Sequence, residues 1–139
     1  MRVISGSARG IPLETLEGLE TRPTTDRVKE AIFSMIQNKI YGALCLDLFS
    51  GSGALGIELL SRGADSVVFV EKNPKSKLVI ERNLAKTKLA EGAMVLNRDV
   101  YDYIERQENR KFDLIIMDPP YLMGHVKMCL ESIEKQDLL

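Results

Sequence analysis

The sequence is poor in the groups that build metal centres, disulfide frameworks and membrane spans. Its 139 residues include two cysteines, Cys45 and Cys129, and one histidine, His125. That set makes no metal constellation, so no metal is expected. The cysteines are far apart and Cys45 stands inside an apolar run, where a thiol packs as a small hydrophobe, so no disulfide is expected either. No apolar run is long enough to span a bilayer, and the apolar stretch in Met1-Arg2-Val3-Ile4 is too short for a signal peptide. The expected location is the cytoplasm, with no membrane partner. An excess of one charge is also missing. Nineteen Lys and Arg stand against twenty Asp and Glu, a net −1, so composition alone gives no argument for nucleic acid. Residues 1–40 carry six basic and five acidic side chains, hence +1, leaving −2 for the rest. Any basic surface must be local.

What is present is an ordinary globular composition, 45% hydrophobic and 28% charged, in a length that suits one domain over 1–139. Residues 1–22 read as an extension with a small hairpin. Arg2–Ser5 and Ile11–Leu16 alternate enough for two strands, and Gly6, Ser7 and Gly10 supply the turn. Arg2 and Arg9 could reach a phosphate from it. Residues 23–139 read as the core. Thr24 or Thr25 can cap a helix whose first turn holds Asp26, with Val28, Ala31, Ile32, Met35 and Ile36 as its buried face and Arg27, Lys29 and Glu30 on the other.

Short apolar runs then alternate with helical stretches. Leu44–Phe49 reads as a buried strand, and Ser50-Gly51-Ser52-Gly53-Ala54-Leu55-Gly56 turns from it into a helix that ends near Arg62, with Gly63 as its left-handed cap. Ser66–Val70 is a second strand ending in Glu71. Asn73 caps the next helix, Pro74 opens it, and it runs to about Leu89. A third strand, Met94–Asn97, is followed by Asp99 and a brief helix over Asp102–Gln107. A fourth, Phe112–Met117, leads into Asp118, and a final helix covering Leu122–Lys135 carries His125. This order predicts an α/β fold, a mostly parallel, doubly wound sheet with right-handed crossovers.

Asp118-Pro119-Pro120-Tyr121 falls at the carboxyl end of the fourth strand, the edge where open α/β sheets bind ligands. The two prolines stiffen the turn and hold Asp118 and Tyr121 in a set relation. Such a turn suits an exocyclic base amine, whose lone pair is delocalised into the ring. A carboxylate and a rigid carbonyl can accept from the NH₂ while an aromatic ring stacks on the base. The plain reading is a stiff turn with a solvated Asp and a partly buried Tyr, and the four residues alone do not choose between them.

The cofactor is open at the same level. Gly51-x-Gly53-x-x-Gly56 matches the dinucleotide fingerprint, and Glu71 lies where a ribose-binding acid belongs, so a nicotinamide enzyme is a rival reading. Asp47, within the first strand, is awkward beside a pyrophosphate but suits the ammonium of a methionine moiety. Glu71 answers a ribose diol and Asp99 an adenine amino group, which together fit S-adenosylmethionine.

On these segments the chain resembles the bacterial guanine-N2 methyltransferases that modify a single guanine of 16S ribosomal RNA. The matching residues are Arg22 to Phe33, Asp47-Leu48-Phe49-Ser50-Gly51-Ser52-Gly53, Glu71-Lys72-Asn73 and Asp118-Pro119-Pro120-Tyr121, and the block beginning Arg22-Pro23-Thr24 is the specific one. The resemblance implies a Rossmann-like class I S-adenosylmethionine-dependent methyltransferase fold. It implies cofactor contacts from Asp47, Gly51, Ser52, Gly53, Glu71, Lys72, Asp99 and Val100. Asp118, Pro119 and Tyr121 would take the catalytic positions, and Arg9, Arg22, Thr24, Arg27 and Pro120 would face ribosomal RNA or the small-subunit particle. It also implies that the core lacks its last strands and that the chain is C-terminally truncated. Three other functions fit the residues: an adenine-N6 DNA methyltransferase, an NAD-binding oxidoreductase and a non-catalytic cofactor-binding fragment.

Overall fold

The computed structural model describes residues 1–16, 26–106, 111–119, 130, 131, 133, 134 and 139. Eight elements build the core: helix α1 (Asp26–Ile36), strand β1 (Leu44–Leu48), helix α2 (Ala54–Ser61), strand β2 (Ser66–Val70), helix α3 (Pro74–Thr87), strand β3 (Ala93–Leu96), helix α4 (Val100–Glu105) and strand β4 (Leu114–Met117). The four strands form one parallel sheet in the order β3-β2-β1-β4. The reversal between β1 and β4 makes it doubly wound, as the alternation of strands and helices predicts.

Side chains along the central strands point alternately to the two faces. Cys45, Val67 and Phe69 join Phe33, Ile57, Leu59 and Ile80 in one core. Leu46, Leu48, Val68 and Val70 join Val100, Tyr103, Ile104, Phe112 and Ile133 in the other. Fully burying side chains of this size stabilises by about 1.5–3 kcal/mol each, so the two cores hold the sheet flat between its helices.

Helix α2 is buried on every side, because the N-terminal segment lies across its outer surface. Its C-terminal turn closes as a Schellman motif: the Gly63 amide donates to Leu60 and the Ala64 amide to Leu59, with Gly63 at φ 107° as anticipated. Helix α3 also begins as its sequence predicts, with the Asn73 side chain accepting from the Lys75 amide and Pro74 following it.

Several boundaries differ for local reasons. The Asp99 side chain accepts from the Asp102 amide at 3.1 Å and caps α4, so that helix starts at Val100 rather than Asp102. Strand β4 starts at Leu114 rather than Phe112, and just before it the Asp113 amide donates to the Leu44 carbonyl at 2.7 Å while its carboxylate accepts from the Leu44 amide at 2.9 Å. The predicted final helix falls mostly outside the described residues, although Leu130, Glu131, Ile133 and Glu134 are helical.

Two expectations are corrected at the N-terminus. The hairpin is reduced to one bridge, Arg2 with Pro12, supported by the Val3 amide donating to Ile11 and the Gly10 amide to Val3. Beyond it the backbone turns to α2: Ile4 and Ser5 donate to the Glu58 carboxylate at 2.9 and 3.0 Å, and Ala8 to the Ser61 hydroxyl at 2.9 Å. The buried face of α1 is also not the predicted one. Lys29 and Phe33 are fully buried, Ile32 and Ile36 partly so, while Val28 and Met35 are exposed at 50% and 83%. Lys29 turns inward because Glu58 receives its ammonium at 3.1 Å, a charge pairing invisible to apolar periodicity.

Candidate functional site

The strand register aligns the candidate residues on one edge. Leu48 is paired with Val70 on one side and Met117 on the other, and Val70 with Leu96. The next residue of each strand therefore gives a row along the carboxyl edge: Asn97, Glu71, Phe49 and Asp118. The order β3-β2-β1-β4 puts the topological switch point of this edge between β1 and β4, where open α/β sheets bind ligands.

The glycine loop rises from β1 over this edge. Gly51 and Gly53 have φ of 58° and 84°, a region that costs a residue bearing Cβ. A Cβ added at Gly51 would meet nothing within 4 Å, so that side of the loop faces open space. At Gly56 the reason for glycine differs. A Cβ there would lie 2.3 Å from the Phe69 ring and 2.8 Å from the Asp47 carboxylate, so glycine lets α2 pack directly on the sheet.

Glu71 ties the loop to the second strand. Its Oε1 accepts from the Gly51 amide and its Oε2 from the Asn73 amide, each at 3.0 Å. A carboxylate has about four acceptor sites, so two backbone donors leave room for two hydroxyls of a vicinal diol. Asn97 locks the same corner, donating from Nδ2 to the Glu71 carbonyl at 3.0 Å.

Asp47 stands apart from its expected place. It is 1% exposed and its Oδ2 accepts from the Gly56 amide at 3.1 Å, so the carboxyl supports the loop from beneath. Burial pushes it up to about 8, hydrogen bonds from Gly56 and Ser50 work against that, and the charges of Asp118 and Glu71 add to it.

The remaining candidates divide. Ser52 lies in the loop, its carbonyl taken by Asn83. Asp99 is exposed at the start of α4, Val100 is buried behind it, and Lys72 is exposed beside Glu71. Asp118 and Pro119 are both half-buried at the end of β4. Arg9 is exposed on the N-terminal turn and Arg27 on α1. Arg22, Thr24, Pro120 and Tyr121 lie outside the described residues. Among the described residues no group of His, Cys, Asp and Glu is placed to hold a metal ion, and no helix is long and apolar enough to cross a membrane.

Sequence reasoning missed Phe49, Tyr101 and Asn83. Phe49 occupies the left-handed region at φ 59°, and its ring meets Tyr101 of α4 edge-on at 6.4 Å. The pair joins the β1 loop to the start of α4. Asn83 is a fully buried amide on α3 between Ile80 and Leu84, and a polar residue on an apolar helix face was the available signal.

Comparison with known proteins agrees with this architecture. The family described as Conserved hypothetical protein 95 matches residues 1–139. The chain is 42% identical over 141 residues to YlbH of Bacillus subtilis, covering 100% of this chain and 77% of that protein. It is 39% identical over 123 residues to ribosomal RNA small subunit methyltransferase D of Haemophilus influenzae, covering 87% of this chain and 64% of that protein. The chain thus spans a little under two thirds of the latter relative. The solved structure of yhhF from Escherichia coli superposes with a TM-score of 0.89 at 36% identity, covering 100% of this chain and 75% of that one. The fold is the Rossmann-like class I S-adenosylmethionine-dependent methyltransferase fold, and the chain belongs to the Conserved hypothetical protein 95 family.

Proposed function

We propose that the protein is an S-adenosylmethionine-dependent RNA methyltransferase acting on the exocyclic N2 amine of a guanine in small-subunit ribosomal RNA. The observation that carries this reading is the alignment of the glycine loop, Glu71 and Asp118 on one carboxyl edge. The relative named ribosomal RNA small subunit methyltransferase D supports the substrate class, and guanine N2 follows from the resemblance of the Arg22-Pro23-Thr24 block.

The residues present fit the cofactor. The open side of Gly51 admits close approach of a ligand to the backbone, Glu71 offers free acceptor sites to a ribose diol, and Asp99 stands exposed beyond β3 for an adenine amine. When bound, S-adenosylmethionine supplies an electrophilic methyl carbon on a sulfonium.

Asp118 and the Pro119 carbonyl accept from the guanine NH₂ and turn its lone pair towards that carbon. Held there, the cofactor would supply its methyl group to the amine and keep the C–S bonding pair on sulfur, and water or Asp118 would take the surplus amine proton. By the resemblance, Tyr121 would stack on the base. Positioning of this kind lowers a barrier by roughly 7–11 kcal/mol relative to a bimolecular encounter. The guanine must be single-stranded or flipped out, because a stacked duplex hides its amine.

The test uses S-adenosylmethionine carrying a labelled methyl group with small-subunit ribosomal RNA, naked and in the 30S particle, and with duplex DNA. Digestion to nucleosides should place the label in N2-methylguanosine from RNA. Label in N6-methyl-2′-deoxyadenosine from DNA would replace this reading with the DNA one, and no label despite cofactor binding would leave a binding fragment.

A further inference from the structure

We propose that Asn83 is a positioning residue that fastens the N-terminal arm to the glycine loop, so that ligand binding at the loop sets the arm. The proposal rests on the reading of that loop as the S-adenosylmethionine site. Asn83 belongs to α3, and its side chain reaches both the arm and the glycine loop. Its Oδ1 accepts from the Glu14 amide at 2.9 Å, and its Nδ2 donates to the Glu14 carbonyl and to the Ser52 carbonyl, both at 3.0 Å. One amide thus uses both donor hydrogens and an acceptor on two segments 38 residues apart in sequence, Glu14 and Ser52 (52 − 14 = 38).

The side chain is fully buried. A buried amide hydrogen left without an acceptor loses its hydration with no return, so a shift of either segment is opposed by the other. Ser52 sits between Gly51 and Gly53, the two positive-φ positions of the loop. Glu14 sits at the end of the arm, where its carboxylate also receives Arg82 of α3 at 2.8 Å. The arm is anchored on α2 as well, where the Glu58 carboxylate accepts from Ile4 and Ser5 and the Ser61 hydroxyl from Ala8. Asn83 therefore gives loop and arm a direct link through which each can sense the other, and linkage makes that influence reciprocal.

Amide hydrogen exchange of the full chain, with and without S-adenosylhomocysteine, reads this directly. In the wild type the ligand should slow exchange of the Leu13 and Glu14 amides on the order of tenfold. Asn83→Leu, close in volume and apolar, should still bind the ligand by calorimetry but lose that ligand-dependent protection. Asn83→Asp keeps the acceptor and removes both donors, and it carries the same expectation if the leucine variant does not fold. A residue with only a packing role would lower the melting temperature yet leave the ligand-dependent change intact. Equal arm protection in wild type and folded variants, or ligand binding that leaves the wild-type arm unchanged, would overturn the proposal. Failure of the wild type to bind S-adenosylhomocysteine at all would remove the cofactor reading and the coupling with it, and calorimetry separates that outcome from the others.

Discussion

Glu71 reaches back twenty residues to Gly51, accepting its amide at 3.0 Å and so joining the end of β2 to the loop after β1. The same carboxylate accepts from Asn73, so one side chain shapes both the glycine turn and the entry to α3. On the proposed cofactor reading, its spare acceptor sites would face a ribose.

Replacing Glu71 by alanine should therefore weaken S-adenosylhomocysteine binding more than it weakens the fold. Hydrogen bonds to a charged acceptor contribute about 1.5–3 kcal/mol each, which predicts a loss of affinity of about tenfold or more. Calorimetry of wild type and Glu71→Ala gives the ratio, with NAD as the control ligand for which no binding is expected. Equal affinities for S-adenosylhomocysteine would remove Glu71 from the cofactor site.

Glu58 is the structural counterpart on the other side of α2. Its carboxylate accepts from Ile4, Ser5, Lys29 and Arg62 while fully buried, and the Arg62 guanidinium also lies 4.8 Å over the Phe33 ring. Burial works to raise Glu58, but the Ile4 amide, Arg62 and Lys29 outweigh it and hold it below the usual carboxylate range. A depressed carboxyl contributes stability above its unfolded pKa that is lost as pH falls through the folded one. Burial lowers the Lys29 amine, with Glu58 opposing the shift. Glu58→Gln leaves that lysine buried without a counter-charge and should cost about 3–5 kcal/mol in urea unfolding at neutral pH. A loss below about 1 kcal/mol, the range of exposed pairs, would contradict the buried network.

Asp47 gives the opposite sign. Its carboxyl is pushed up to about 8 by burial, so between its ordinary value and that one the folded chain keeps a proton that the unfolded chain has released. Its contribution to stability is present in acid, declines as pH rises across that window, and levels off above it. Asp47→Asn has no such proton. Melting curves from about pH 5 to about pH 8 should fall more steeply for wild type than for the variant. Parallel curves would mean that Asp47 is charged in the folded protein throughout.

The sheet and the glycine loop were legible because their causes are local. Leu44–Leu48 and Ser66–Val70 are near-continuous apolar runs, as strands buried on both faces require. The glycine spacing marked positions where only glycine suits the backbone or the packing. Asn73 with Pro74 announced α3 from two residues. What stayed hidden depends on partners distant in sequence. Lys29 read as a solvated charge because Glu58, which draws it inward, is 29 residues away. The hairpin looked sound, but the carboxylate on α2 takes the Ile4 and Ser5 amides at the end of its first strand. Asp47 read as a ligand contact because spacing places it beside the loop but does not say that its side chain lies beneath. Asn83 has only main-chain partners on other segments, which no residue pattern encodes.

The central claim is that the edge ending in Asp118 orients an amine for methyl transfer, and single-turnover methylation by Asp118→Ala tests it most directly. With ribosomal RNA and labelled cofactor, the rate of the variant should fall by two orders of magnitude or more, about 2.7 kcal/mol of lost transition-state stabilisation. Its affinity for S-adenosylhomocysteine, measured on the same preparation, should stay within about threefold of wild type. A variant that transfers methyl groups at the wild-type rate would contradict the account.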